Sequence, residues 1–395
     1  MAQIIHVTAG TGNYPNGQKI DRAAVEYDCP LCPAVDPGCF AVEGRTVTGA
    51  QVEGNSVTLR LDPEERAAKL VEEPEHKPPK PGQKMGPPIN MPPTKRRAVQ
   101  VTVKQLAPIR AADGSEIPTD GVTHASDRTS EPVVEDFAQG EYAGIRYNLY
   151  TPKNVEPGRQ YPLVMFIHDA GPCGAEPKLT LSQGLGAVGF AAPAWQKEHP
   201  CFVLAPQIDR GIHLTNDDFT CSREMDDIKA LLDHIVERNP VDRARIYTTG
   251  QSMGCMASCE LNIRYPDLFA ASLLVAGQWD PERMAQSCSQ NQFWILVSEH
   301  DRKAFPGMNA VTEALERGGA AVARYRWDGA AEPEQLTQCA RNAMMDKANV
   351  RYTVFDGSSV VPEGEDDGPG SNHVNTWRVA YTIDGLKEWL FSCGR

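Results

Sequence analysis

The sequence predicts two parts: a small all-β sandwich, then a larger α/β domain built on a mostly parallel sheet flanked by helices. Three observations carry this expectation. The first hundred residues hold short runs rich in β-branched residues, punctuated by Gly, Asn, Asp and Pro. From about Val133 onward, strand-like runs alternate with helical ones, as in a sheet covered on both faces. Between the strand-like run Arg245 to Thr249 and the apolar-periodic segment Ala257 to Tyr265 stands Gly250-Gln251-Ser252-Met253-Gly254, the signature of a sharp strand-to-helix turn. The expected boundaries are 1–132 for the sandwich and 133–395 for the α/β domain.

In order along the chain, the sandwich strands are expected at Ile4 to Thr8, Ala23 to Tyr27, Phe40 to Glu43, Ser56 to Leu61 and Ala98 to Val103. Residues 72–97, dense in Pro, Lys and Glu, have too few large apolar side chains to order themselves and read as a flexible insertion within the sandwich. Lys95-Arg96-Arg97 at its end reads as a solvated charge run. In the second part, Pro162 to His168 and Cys201 to Pro206 are near-continuous apolar runs, as buried central strands require. Asp226 to Arg238 places Ile228, Leu231, Leu232, Ile235 and Val236 on one helical face. Further strands are expected at Ala270 to Ala276, Phe293 to Ser298, Val322 to Trp327 and Val350 to Phe355, with a closing amphipathic helix at Ile383 to Phe391.

Composition narrows the class of protein. Over 395 residues, 41% hydrophobic and 23% charged residues fit an ordinary globular chain. No apolar run approaches the roughly 20 residues of a membrane span. A net charge of −13 argues against a nucleic-acid partner, which would select a basic face. The 11 cysteines are odd in number and lack a framework of repeated spacings. With no leader visible at Met1 to Val7, this predicts a reduced, cytoplasmic setting; removal of a leader from a longer form would instead mean secretion. Cys29-Pro30-Leu31-Cys32 with Cys39 nearby lacks a fourth ligand, so no metal is expected there.

The turn at 250–254 carries the chemistry. It exposes Ser252 as a nucleophile, but a serine hydroxyl needs a neighbouring base. His373, in a polar loop expected over Gly370 to Trp377 ahead of the last helix, follows the nucleophile and the acid in the expected order; His300 comes too early and reads as structural. The acid is expected at Asp301, just past the strand Phe293 to Ser298, with Glu299 in reserve. Two main-chain amides should hold a developing oxyanion: Met253, directly after the nucleophile, and Ala170, in His168-Asp169-Ala170-Gly171 after the buried strand. Gln251 and Trp279 are the candidate substrate contacts, Trp279 by stacking against an aromatic acid or polyester unit. No cofactor is required.

Four segments together resemble a known family: Tyr147 to Pro152, Phe166 to Gly171, Ile246 to Gly254 and Ser371 to Trp377. The chain resembles the α/β-hydrolase serine esterases of the polyhydroxybutyrate-depolymerase-like and prolyl-oligopeptidase-like group, in particular those with an N-terminal immunoglobulin-like domain. The resemblance implies carboxylic-ester hydrolysis with Ser252, Asp301 and His373 as triad. Asp169 stands where many relatives have glycine, a change expected to bear on the oxyanion loop, and Cys255 stands where glycine is common. A rival reading is a serine peptidase of the prolyl-oligopeptidase type. Another is a binding or assembly protein whose sandwich recognises a polymer or another copy of the chain, forming a homo-oligomer.

Overall fold

The computed structural model describes residues 3–72, 94–174, 176–209, 212 and 214–395. The expected flexible insertion falls, from 73 to 93, outside the described residues. The chain divides into two compact units. One holds the described residues up to Glu72 with Arg96–Asp136; the other holds Thr94, Lys95 and Phe137–Arg395.

The first unit is an all-β sandwich. One sheet runs Arg128–Ser130, Ile4–Tyr14, Gly17–Tyr27, Ser56–Leu61, Val47–Glu53 in spatial order; a smaller one runs Thr123–Ala125, Thr102–Gln105, Phe40–Val42. Alternate residues Val7, Ala9, Val25, Tyr27, Val57, Leu59 and Val103 enclose its core. The first two strands form a long hairpin, extending past the expected Ile4 to Thr8 because ladder pairing carries through the bulk-poor Gly10-Thr11-Gly12. Ala98 to Val103 is corrected: only its last two residues join the strand Thr102–Gln105, the register in which that strand pairs with both neighbours.

The second unit is built on nine strands: β1 (Phe137–Tyr142), β2 (Ile145–Tyr150), β3 (Tyr161–Ile167), β4 (Phe202–Gln207), β5 (Val241–Gln251), β6 (Ala271–Val275), β7 (Phe293–Ser298), β8 (Val322–Trp327) and β9 (Val350–Phe355). Their spatial order is β1-β2-β4-β3-β5-β6-β7-β9-β8. The first two strands are antiparallel additions at one edge; the rest run parallel. Every residue of β3, β4, β6, β7 and β9 is buried, as a sheet covered on both faces demands. The helix Glu224–Arg238 lays Ile228, Leu231, Leu232 and Ile235 against Leu163, Met165 and Leu204. Together the units are an α/β-hydrolase fold preceded by an immunoglobulin-like sandwich.

One close approach sets the centre of this sheet. The helix Met253–Arg264 starts so near the end of β3 that a Cβ on Gly254 would lie 1.9 Å from the Ile167 carbonyl oxygen. Gly250 faces the same constraint, 2.5 Å from the Gly254 backbone. Gly254→Ala is therefore expected to destabilise the fold by at least about 1–3 kcal/mol, the usual cost of forcing atoms into a filled interior. A urea midpoint unchanged from wild type would refute the close packing.

Candidate active site

The serine is delivered by backbone strain. Ser252 sits at φ 51°, ψ −117° between the end of β5 and the helix Met253–Arg264. For a residue with a Cβ this costs on the order of 1–3 kcal/mol. The turn is offset by its own bonds: Ser252 N donates to Val275 O at 3.0 Å, and Met256 N donates to Ser252 O at 3.0 Å.

Ser252 Oγ lies 2.9 Å from His373 Nε2, and His373 Nδ1 lies 2.5 Å from Asp301 Oδ2. A carboxylate can only accept, so Nδ1 carries the proton and Nε2 is free to receive the serine's. Asp301 is 3% exposed, and its other oxygen accepts from the amides of Lys303 and Ala304, both at 3.0 Å. Burial pushes its carboxyl up, but the His373 ring and those two amides outweigh burial and hold it below the usual carboxylate range. The structure therefore brings Ser252, His373 and Asp301 into one chain of hydrogen bonds.

The stretch Gly370 to Trp377, expected to be a loop, is helical. The helix Pro369–Ala380 starts there, and His373 lies in its first turns. Asn and Thr are weak helix formers and disguised it. Tertiary bonds compensate: Asn372, fully buried, accepts from Ser298 Oγ at 2.8 Å and donates to Asp367 O at 2.7 Å. Asn372 thus ties the helix that carries His373 to the end of β7; asparagine is usually exposed, so the sequence carries no local signal of this role.

Glu299 and His300 face elsewhere. Glu299 Oε2 accepts from Arg326 Nη2 at 2.6 Å and from Gly357 N at 2.8 Å, and His300 Nδ1 pairs with Ser358 Oγ at 2.7 Å.

Beside the Ser252 turn, the loop after β3 presents Ala170. Among the described residues, neither the Ala170 nor the Met253 amide has a protein acceptor. The loop is pinned around Ala170. His168 is fully buried; its Nε2 accepts from Ile208 N at 2.9 Å, so its Nδ1–H donates to Asp169 O. Gln207 Nε2 donates to Pro172 O at 2.8 Å, and Gly174 N to Ile208 O at 2.9 Å. Both are thus main-chain donors without a protein acceptor among the described residues, and they come from two different segments.

The two side chains expected to contact substrate sit differently. Gln251 is 2% exposed and donates to Asp169 Oδ2 at 2.8 Å and to Gln183 Oε1 at 3.2 Å. Trp279 is fully buried; its indole N–H donates to Glu260 Oε2 at 3.0 Å, and the Phe219 ring packs edge-on 5.7 Å away. Glu260, itself 2% exposed, is also held by Arg264 and Arg283. Phe219 is half-buried and packs against the same cluster as Trp279. It lines a hollow of about 300 Å³ with Trp279, Pro281 and Ala310, rimmed by Asp217, Gln278 and Lys303. Asp217 bonds both Gln278 Nε2, at 2.8 Å, and Lys303 Nζ, at 2.5 Å. The hollow adjoins the site along the chain: Gln278 follows Gly277, whose Cβ would lie 3.3 Å from Ser252 O, and Lys303 follows Asp301 by two residues. No group of three or more potential metal ligands occurs among the described residues, and no described helix is long and apolar enough to cross a membrane.

His168 makes a pH-dependent contribution to stability. Burial lowers its pKa below the ordinary 6.5, so the folded protein binds this proton less readily than the unfolded chain. The stability gained is complete above that value and is lost as pH falls below it, at up to about 1.4 kcal/mol per unit. The wild-type urea midpoint is expected to drop more steeply than that of His168→Asn between about pH 7.5 and about pH 5. Parallel slopes would show that His168 does not contribute.

Residues 6–118 match the family described as the esterase Ig-like N-terminal domain. A thermostable esterase of known structure superimposes with a TM-score of 0.80 at 24% identity, covering 99% of this chain and 100% of that one. Two others are far looser. A feruloyl esterase module from Clostridium thermocellum gives a TM-score of 0.41 at 14% identity, over 63% of this chain and 88% of its own. An acetyl xylan esterase from Aspergillus awamori gives 0.35 at 18%, over 46% and 79%. No curated protein matches the chain by sequence. The chain therefore opens with a domain of the esterase immunoglobulin-like family and shares, over nearly its whole length, the fold of a thermostable esterase.

Proposed function

We propose that the protein is a serine hydrolase of carboxylic esters, with Ser252 as nucleophile, His373 as general base and acid, Asp301 as the group that orients it, and the Ala170 and Met253 amides as oxyanion donors. The observation that carries this reading is the continuous Ser252–His373–Asp301 relay at 2.9 and 2.5 Å beside two amides with no protein acceptor among the described residues. His373 Nε2 takes the Ser252 proton as Oγ bonds to the ester carbonyl carbon, and the carbonyl oxygen becomes an anion held by the two amides. The C–O bond to the alcohol then breaks, and the leaving oxygen takes the proton from Nε2. Water repeats the sequence on the acyl-serine: it gives its proton to Nε2, releases the acid, and returns Ser252 to its hydroxyl form.

An aryl or similarly compact acyl group is the substrate reading we favour, and the hollow supports it. Phe219, Pro281 and Ala310 offer it apolar surface, while Lys303, Gln278 and Asp217 give the rim polar groups that suit a hydroxylated or carboxylated ring. Phe219 itself sits at φ 64°, a strained conformation for a bulky side chain.

Labelling with a fluorophosphonate, read by intact mass, tests the nucleophile: one adduct on wild type and none on Ser252→Ala is expected. No adduct on folded wild type would reject the reading. In turnover of p-nitrophenyl esters, Ser252→Ala should lose a factor on the order of 10⁶ and Asp301→Asn on the order of 10⁴. Glu299→Gln should stay near wild type; a larger loss there than at Asp301 would move the acid. Hydrolysis of peptidyl anilides at rates comparable to esters would favour the peptidase instead.

A further inference from the structure

We infer that Gln251 and Asp169 form a clamp that sets the oxyanion loop at its working distance from the nucleophile. Both are then positioning residues, and neither is a substrate contact. The inference rests on the esterase reading above and deepens it.

Strands β3 and β5 are parallel neighbours with Ile167 opposite Gly250. The next residue of β5, Gln251, therefore stands beside the point where the chain leaves β3, and its side chain reaches Asp169 Oδ2 at 2.8 Å. The other oxygen of the same carboxylate accepts from Gly171 N at 2.7 Å. That second bond closes a turn from residue 169 to residue 171 with Ala170 at its apex, so it fixes the direction of the Ala170 peptide. One carboxylate thus joins two elements. One is the loop bearing the first oxyanion donor; the other is the strand end that continues directly into Ser252 and Met253, the nucleophile and the second donor.

Burial makes the joint stiff. Gln251 is 2% exposed, and an amide so enclosed that loses its acceptor bears the full desolvation cost, so it has little freedom to let go. Gln183 Oε1, 3.2 Å from the same nitrogen, holds the amide from the far side. Thr94 Oγ1 donates to Gly171 O at 2.7 Å, capping the end of the turn. Both oxygens of Asp169 are engaged, one by Gly171 N and the other by Gln251 Nε2, so neither is free to swing the loop elsewhere. An amide that is preorganised costs nothing at the moment of reaction, whereas one displaced by about 1 Å can cost on the order of 10²-fold.

The test is steady-state kinetics on an ester that wild type turns over. The variants are Gln251→Ala, the shape-preserving Gln251→Met, Asp169→Ala, the double Gln251→Ala/Asp169→Ala, and Asp169→Asn. Folding of each is checked by melting. The clamp requires kcat to fall about 10- to 100-fold in Gln251→Met and Asp169→Ala with KM nearly unchanged, because the lost contact matters at the oxyanion and not in ground-state binding. It requires the double variant to be no worse than the poorer single. It also requires Asp169→Asn to recover most of kcat, since Asn still accepts from Gly171 N and can bond a turned Gln251 amide. Affinity for an aryl trifluoromethyl ketone, which forms a tetrahedral anion on the serine, should weaken in parallel with kcat. A raised KM with kcat intact would make Gln251 a substrate contact and overturn the inference. Additive losses, or an Asn variant as poor as the Ala variant, would overturn it as well. Wild type that turns over no ester would reject the esterase reading itself, an outcome separate from active wild type with unaffected variants.

Discussion

The close approach of Gly254 to the end of β3 is the constraint on which the rest of the α/β domain depends. With the helix start pressed to within a bond length or so of where a Cβ would meet the Ile167 carbonyl, the chain has no room to leave β5 gradually. It turns at one strained residue, and that residue is the serine. The same proximity brings the loop after β3 alongside the turn, with the His168 carbonyl oxygen 2.8 Å from where a Cβ on Gly254 would stand. The positions of Ser252, of the Met253 amide and of the Gln251–Asp169 bond thus follow from how tightly one helix packs on one strand. The strain at Ser252 is held by the bonds to Val275 and from Met256, and by the buried sheet beneath.

The second support is polar and lies on the other side of the serine. Asp301 leaves β7 and is fastened by the first amides of the next helix, while Asn372 fastens the His373 helix back to Ser298 at the end of that same strand. Asp301 and His373 are therefore referred to one strand end, and the imidazole has little freedom to drift from either partner. The neighbouring Glu260, with two arginines and the Trp279 indole, makes a buried ionic knot under the hollow. There the tryptophan serves as floor, and the Phe219 loop forms the wall.

What could be read in the sequence follows from locality. Ser252 was legible because the glycines that permit its conformation lie two residues to each side. The buried strands were legible as unbroken apolar runs, and the Ile383 to Phe391 amphipathic pattern became the helix Asp384–Ser392. Features that depend on distant partners were not. Gln251 looked like a solvent or substrate contact because its partner is 82 residues away. The His373 segment looked like a loop because its helix is stabilised by a buried asparagine bonded 74 residues back, more than by its own propensities. Val47–Glu53 escaped notice because glycine and polar residues break its alternation, while ladder bonds to Ser56–Leu61 complete it. The handover from Ala98 to Thr102 was hidden for the same reason: register is decided by the neighbouring strand.

The long reach of the relay has a consequence for how this protein acquires its chemistry. Ser252 and His373 are separated by 121 residues and Asp301 and His373 by 72, and the intervening chain supplies four of the nine strands. No local stretch can assemble the site in advance. Closing loops of that size precedes any reward from the contacts they make, which slows folding and places such contacts late. The Ser252–His373–Asp301 geometry is thus a property of the finished sheet, and on the proposed esterase reading any turnover would belong to the completed α/β domain and not to early secondary structure.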